Sequence, residues 1–188
     1  TGIDWNVIFL LLGMMIIVGV IHKTGLFEFL AIKAIKLAKG EPKRALVFLI
    51  ILTAVASAIL DNVTTILLAV PMTLVVCKQL NVSPVPFILS QVFASNIGGA
   101  ATLVGDPPNI IIASRANLSF NDFLIHMAPW VIVVMLVITP MLVFMFRKQL
   151  VNAPEDRTRI SKLDENSYLK DKVLLRKSLF VLGAVMIA

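Results

Sequence analysis

Long apolar runs, interrupted by short polar clusters, dominate the hydrophobic pattern of this chain. Residues 5–21, 45–60, 63–77 and 129–146 are largely apolar or small. A helix of about 17 residues or more is long enough to cross the hydrocarbon core of a bilayer, which is about 30 Å thick. The pattern therefore predicts an all-α membrane protein.

The runs at 45–60 and 63–77 are separated by Asp61 and Asn62. Sixteen residues of helix measure only about 24 Å, so neither arm crosses the bilayer comfortably, and together they are too long for one span. We predict a re-entrant helical hairpin over 45–77 with its tip at residues 61–65. Two complete, tilted spans are the alternative.

The next apolar segment, residues 85–113, is predicted to be a discontinuous transmembrane helix. Its central part, 95–109, holds three glycines and two prolines and is not expected to remain helical. A second half-helix begins near Asn109. Two interrupted apolar segments that lie close together in sequence indicate the binding site of a transporter.

Composition and charge support the membrane class. Hydrophobic residues make up 59% of the chain and charged residues 15%, compared with about 25% charged residues in a typical soluble domain. Although the net charge is +6, six of the 17 basic residues fall in 22–44 and nine in 147–177. Basic residues gathered in loops beside apolar runs are expected on the cytoplasmic side, and this distribution argues against nucleic-acid binding.

Spans and loops together predict the domain organisation. The expected parts are a scaffold span and cytoplasmic interfacial helix (1–44), a transport part (45–117), an outer interfacial helix and span (118–146), a cytoplasmic linker (147–177) and the start of a truncated span (178–188). The chain begins with Thr1 rather than Met and ends inside an apolar run, so we expect a piece of a longer protein.

The interfacial helix is predicted over residues 25–39 from its amphipathic pattern. Its basic side carries Lys33, Lys36 and Lys39. Its apolar side is expected to consist of Leu26, Phe27, Leu30, Ala34 and Leu37.

Two acidic residues, Asp61 and Asp106, lie within the interrupted segments. A charge at bilayer depth is expensive, so both indicate an ion or proton path. The candidate ion- or substrate-binding residues are Asp61, Asn62, Thr64, Thr65, Ser95, Asn96, Gly98, Gly99, Thr102, Gly105, Asp106 and Asn109. Helix ends leave backbone groups without partners, and these groups add to such a site.

The oxygen-rich side chains suit a hard cation such as Na⁺. We expect its ligands to be Asn62, Thr64 and backbone near Gly98 and Gly105, with Na⁺ or H⁺ as coupling ion and no other cofactor. A purely structural interpretation stays open: Asp61 and Thr64 would cap the following helix, and residues 106–109 would form a tight turn.

The stretches Ser57-Ala58-Ile59-Leu60-Asp61-Asn62-Val63-Thr64-Thr65 and Ser95–Asn109 resemble the ion transporter superfamily. The similarity is to its citrate-transporter-like domain, in the branch of the ArsB/NhaD permeases and pink-eyed-dilution proteins. It implies an elevator-type fold of two inverted repeats, a homodimer, and a multi-pass protein of the plasma (inner) membrane. This chain would hold most of the first repeat.

Carboxylate-carrying relatives have Ser-Asn-Thr at the hairpin tip and Gly-Thr-Pro-Pro-Asn in the broken helix. Here the corresponding stretches contain Asp61 and Asp106. The added negative charges disfavour a di- or tricarboxylate and favour a cation, a proton or neutral arsenite. The resemblance thus implies a transporter rather than an enzyme, with no catalytic residue.

We expect Na⁺/H⁺ antiport, with arsenite or antimonite export and citrate or dicarboxylate transport as alternatives. Two other classes are more distant. An intramembrane aspartyl protease would need a Gly-x-Gly-Asp motif, and Leu103 replaces its first glycine. A channel would have a fixed filter, whereas broken helices suit alternating access.

Overall fold

The structure, a computed structural model, describes residues 23–151 and 172–187, together with single helical positions between 9 and 20. Most of the predicted span at 5–21 and residues 152–171 of the predicted linker lie outside the described residues. The chain divides into two compact units, Thr1–Leu30 with Asp164–Ala188 and Ala31–Leu163. All candidate site residues belong to the second unit.

The described parts of the chain form helices and contain no strand. The helices are α1 (Leu26–Leu37), α2 (Pro42–Ile59), α3 (Asn62–Leu80), α4 (Val85–Gly99), α5 (Pro107–Ala116), α6 (Phe120–Met145) and α7 (Lys172–Ile187). Helices α2, α3 and α6 are long and apolar enough to cross a membrane. The all-α membrane class is therefore confirmed.

Helix α1 lies within the predicted range of 25–39, and its interfacial location stays a prediction. Ile32, Ile35 and Ala38 are buried, whereas Leu37 is 58% exposed. Packing buries the two isoleucines, which lie three positions apart on one helix face.

The break between α2 and α3 is shorter than predicted. Only Leu60 and Asp61 have extended backbone, and residues 62–65, which we placed in a non-helical tip, form the first turn of α3. The arms contain 18 and 19 residues, so each is long enough to cross the hydrocarbon core. Length therefore does not distinguish a re-entrant hairpin from two spans, and the hairpin stays a prediction.

The break between α4 and α5 lies within the predicted segment but is also shorter. Helix α4 continues to Gly99, and α5 already begins at Pro107. Residues 95–99 and 107–108 are thus helical, contrary to the prediction, whereas Asn109 lies in the second half-helix as predicted. Prolines are compatible with the first turn of a helix, where the missing N–H would have no intrahelical partner.

Helix α4 lies at the centre of the second unit, in contact with α2, α3 and α6 and most extensively with α2. Side-chain bonds join Thr53 to Gln91 and Ser57 to Ser95, so α2 and α4 run in the same direction. At Gly98 the two backbones are in close contact. A Cβ added to Gly98 would lie only 2.6 Å from the Cα of Ala54. Glycine permits this approach.

Helix α6 is one uninterrupted helix of 26 residues, although we predicted a separate interfacial helix at 118–128 followed by a span. Its N-terminus carries a capping box in which Ser119 and Asp122 bind each other's backbone N–H groups. Pro129, the predicted boundary, lies inside the helix. Whether the first turns lie at the membrane surface stays a prediction.

Helix α7 begins at Lys172, six residues before the predicted start of the last span. The additional residues include Arg176 and Lys177, which we had assigned to the linker. Long basic side chains are compatible with the end of a membrane helix because their charged groups extend toward water.

The Gly98→Ala substitution tests the close packing of α2 on α4. We expect it to destabilise the full-length protein by about 1–3 kcal/mol, because the added methyl group overlaps the Ala54 backbone. The measurement is the midpoint of thermal unfolding in detergent micelles. At Gly19, a helical position, an added methyl meets nothing within 4 Å, so Gly19→Ala should leave the midpoint unchanged or raise it. A Gly98→Ala protein that unfolds at or above the parent midpoint would contradict the packing.

Candidate functional site

The two helix breaks lie side by side in the second unit. The Thr102 hydroxyl, in the α4–α5 break, donates to the carbonyl of Ala58 in the last turn of α2 (2.5 Å). Across the same region the Asn62 side-chain Nδ2 donates to Oδ1 of Asn96 (3.2 Å). The structure thus places the α2–α3 break beside the last turn of α4 and the unwound segment of 100–106.

Asp61 occupies the N-cap position of α3. Its Oδ1 accepts the backbone N–H of Thr64 (2.8 Å), and its carbonyl accepts that of Thr65 (3.0 Å). The capping interpretation is therefore confirmed for Asp61. It does not exclude ion binding, because the carboxylate is only half-buried and the cap uses one of its two oxygens.

Asp106 occupies the N-cap position of α5, but its carboxylate makes no capping hydrogen bond. Its backbone is extended (φ −149°, ψ 128°), and its carbonyl accepts the N–H of Asn109 (3.0 Å). The proposed turn with the Asp106 side chain as acceptor is therefore absent from this described segment. The half-buried Asp106 carboxylate therefore lies at the start of α5 without accepting a capping hydrogen bond.

Asn109, in the first turn of α5, bonds to the backbone of the α4–α5 break. Its Nδ2 donates to the carbonyls of Gly99 (3.1 Å) and Thr102 (2.8 Å). The Thr102 hydroxyl in turn accepts the N–H of Gly105 (3.1 Å). Asn109 and Thr102 therefore bind backbone groups that the helix ends leave without intrahelical partners.

Glycines let the backbones of the two breaks approach each other. A Cβ on Gly99 would lie 2.6 Å from the carbonyl oxygen of Gly105, and one on Gly105 would lie 2.6 Å from that of Ser57. Gly98, a predicted ion ligand, packs against α2, and its carbonyl accepts the N–H of Ala101 (3.0 Å). Its observed role is packing.

The buried hydroxyls near the breaks have different environments. The Ser95 hydroxyl donates to Val92 O within its own helix (3.0 Å), and the Ser95 carbonyl accepts the Ser57 hydroxyl (2.7 Å). Thr65 is 2% exposed, and its Oγ1 has no hydrogen-bond partner in the described part of the chain. A buried, unsatisfied hydroxyl is unusual and makes Thr65 the better candidate ligand.

Four helix ends meet at the breaks: the C-terminal ends of α2 and α4 and the N-terminal ends of α3 and α5. N-terminal ends carry partial positive charge and C-terminal ends partial negative charge. An aspartate occupies the N-cap position at each N-terminal end, whereas the C-terminal ends present carbonyls. No Lys or Arg occurs in 45–77 or 79–114. The site therefore favours a cation.

The ligands available for such a cation are amide, hydroxyl, main-chain and carboxylate oxygens. No group of three or more His, Cys, Asp or Glu side chains lies close enough to hold a metal ion within the described residues. The donor set therefore suits a hard, weakly held ion such as Na⁺ better than a transition metal.

Ser57, Thr53, Gln91 and Thr73 form hydrogen bonds between the helices, but we did not predict them as functional residues. A sequence signal was available. Thr53 and Ser57 in α2, like Gln91 and Ser95 in α4, are polar residues four positions apart inside apolar helices. Such a spacing places both polar residues on one helix face.

Comparison of the sequence with known proteins identifies its family. The chain matches the citrate transporter family over residues 1–188. It is 54% identical over 188 residues to a 46 kDa membrane protein of Mycobacterium leprae, covering 100% of this chain and 44% of that protein. An uncharacterized transporter of Mycobacterium tuberculosis is 55% identical over 188 residues, with the same coverage of 100% and 44%.

The human P protein is 43% identical over 145 residues, which cover 74% of this chain and 17% of that protein. The chain thus spans less than half the length of each of these relatives.

Replacing Thr102 by Val tests how the two breaks are joined. We expect a loss of about 1–3 kcal/mol in the stability of the full-length protein, because the Ala58 carbonyl and the Gly105 N–H both lose their partner. The measurement is again thermal unfolding in detergent. Thr102→Ser keeps the hydroxyl and should retain most of the stability. Equal stability of the Val and Ser proteins would show that these bonds do not hold the breaks together.

Proposed function

The chain belongs to the citrate transporter family, and we propose that it forms the first half of the ion-binding centre of a secondary active transporter that exchanges Na⁺ for protons. One observation carries the proposal. The two aspartates stand at the N-cap positions of α3 and α5, at the positive helix ends, and the carbonyl ends of α2 and α4 lie at the same breaks. This arrangement attracts a cation.

The Na⁺ would be held at the start of α3 and by the adjoining unwound segment. Asn62 uses its Nδ2 for the bond to Asn96, so its Oδ1 is available as an ion ligand. The Thr64 and Thr65 hydroxyls and the carbonyls of 100–106 would supply further oxygens. We propose further that a second repeat completes the site, in a multi-pass protein of the plasma membrane that forms a homodimer. The greater length of the relatives is compatible with a second repeat.

Asp61 and Asp106 would couple the ion to protons. A carboxylate that is protonated no longer compensates the charge of a cation, so proton binding and Na⁺ binding compete at one site. Alternating access to the two sides of the membrane then converts this competition into exchange. Both carboxylates are half-buried, so they remain reachable from the open side of the site.

Citrate transport is the second candidate, since the family description names that substrate. A tricarboxylate would face two aspartates without a Lys or Arg in 45–77 or 79–114. The repulsion makes this candidate weaker than a cation. Full-length protein in proteoliposomes distinguishes the two. We expect an imposed Na⁺ gradient to move protons, recorded with an internal pH dye, and labelled citrate to stay outside; citrate uptake without Na⁺-driven proton flux would favour the second candidate.

Asp61→Asn separates ion binding from helix capping. Asn caps helices about as well as Asp, so thermal stability should be retained while Na⁺-driven proton flux falls to the level of protein-free vesicles. Asp106→Asn should lose flux in the same way. The control is Asp122→Asn, an exposed carboxylate at the start of α6 outside the site, for which flux should equal the parent. Full flux in both site variants would refute the proposed role of the carboxylates.

A further inference from the structure

A second polar cluster, formed by Thr53, Thr73 and Gln91, lies inside the packed helices away from the breaks. The Thr73 hydroxyl donates to Oε1 of Gln91 (2.6 Å), and Nε2 of Gln91 donates to Oγ1 of Thr53 (3.1 Å). All three side chains are buried, with exposures of 0%, 1% and 3% for Thr73, Gln91 and Thr53. Gln91 precedes Gly99 by eight residues, which is about 12 Å of helix.

This cluster joins three helices through one side chain. Thr53 belongs to α2, Thr73 to α3 and Gln91 to α4. A buried amide without hydrogen bonds is strongly unfavourable in an apolar environment, so only a relative position of the helices that brings both threonines to Gln91 satisfies it. An apolar side chain would fill the same space without selecting that position. The cluster therefore specifies how the helices are aligned.

Helix α3 depends on this cluster more than α2 does. Helix α2 is also held on α4 by the close packing at Gly98 and by the Ser57–Ser95 bond. For α3, the other side-chain hydrogen bond to α4 in the described part of the chain is the solvent-exposed one between Asn62 and Asn96. Asp61, Thr64 and Thr65 all lie at the start of α3, so its alignment decides where they meet the unwound segment.

We propose that Gln91 is a positioning residue that holds α2 and α3 on α4 as one rigid unit and thereby sets where the first turn of α3 meets the unwound segment. The transport part of this inference rests on the proposed function. The rigid unit itself does not, because its geometry is measurable whatever the protein carries.

Spin labels on the full-length, reconstituted protein, with other cysteines removed, test the rigid unit. One pair is placed at Leu67 of α3 and Phe93 of α4, and a second at Ile51 of α2 and Leu89 of α4; all four side chains are exposed. In the parent we expect a single narrow distance for each pair, equal with and without Na⁺. A distance that changes with Na⁺ would overturn the proposal.

Substitutions then separate the two hydrogen bonds. Gln91→Leu should broaden the Leu67–Phe93 distance, and Thr73→Val should do the same while leaving Ile51–Leu89 narrow. The matched control is Ser90→Ala, because Ser90 is equally buried but its hydroxyl has no hydrogen-bond partner among the described residues. Thr73→Ser keeps the hydroxyl and should behave as the parent.

The outcomes distinguish the inference from the proposed function. If Gln91→Leu does not fold, Thr73→Val decides, since it removes one hydroxyl without changing the shape of the side chain. An unbroadened Leu67–Phe93 distance in the folded variants overturns the inference. If the parent shows no Na⁺-driven flux but its distances are narrow and the Leu67–Phe93 distance broadens in Gln91→Leu and Thr73→Val, the rigid unit is supported while the proposed function fails.

Where Na⁺-driven flux is present, its kinetics give a readout that loss of folded protein does not mimic. Misaligned ligands in Gln91→Leu and Thr73→Val should raise the apparent KM for Na⁺ several-fold with little change in maximal rate. A lower maximal rate with an unchanged KM would indicate less folded protein and would contradict a positioning role.

Discussion

Backbone groups released where helices stop in apolar surroundings must find new partners, and the rest of this structure depends on how that requirement is met. The breaks at 60–61 and 100–106 satisfy it jointly. Thr102 reaches from one break to the Ala58 carbonyl of the other, while Asn109 binds two carbonyls of its own break. The Thr102 hydroxyl thus joins the two breaks, while Asn109 satisfies carbonyls within its own.

The same requirement explains the choice of residues around the breaks. Carbonyls and N–H groups can meet only if the backbones come close, which Gly99 and Gly105 allow. Asp61 and Asp106 then stand at the two N-terminal ends, where negative charge is favourable. The aspartates thus stand where they favour the helix starts and supply the negative charge on which the proposed cation binding rests. Folding and the proposed ion binding use the same groups.

Polar residues deeper in the helices extend this principle. Gln91, Thr53 and Thr73 satisfy one another across α2, α3 and α4, although no helix end is nearby. Their effect is to align the helices that carry the breaks. A site built from helix ends needs such support, because a small shift of α3 would move every ligand on its first turn.

The sequence by itself determined the membrane class, the existence of both breaks and the residues that border them. Asp, Gly and Pro act locally: Asp61 caps a helix, and Pro107 starts one, whatever surrounds them. The sequence also contains the motifs of the family to which the chain belongs.

Tertiary structure decided the extent of each break and the orientation of each helix. Helix α4 continues to Gly99 and packs closely on α2 at Gly98, and α1 buries Ile32 and Ile35. The bond between Asn62 and Asn96 joins residues 34 positions apart. In the cluster around Gln91, the bonded residues are 38 positions apart (Thr53) and 18 positions apart (Thr73). Local signals begin and end helices, but only the packing of distant segments selects which of their polar groups meet.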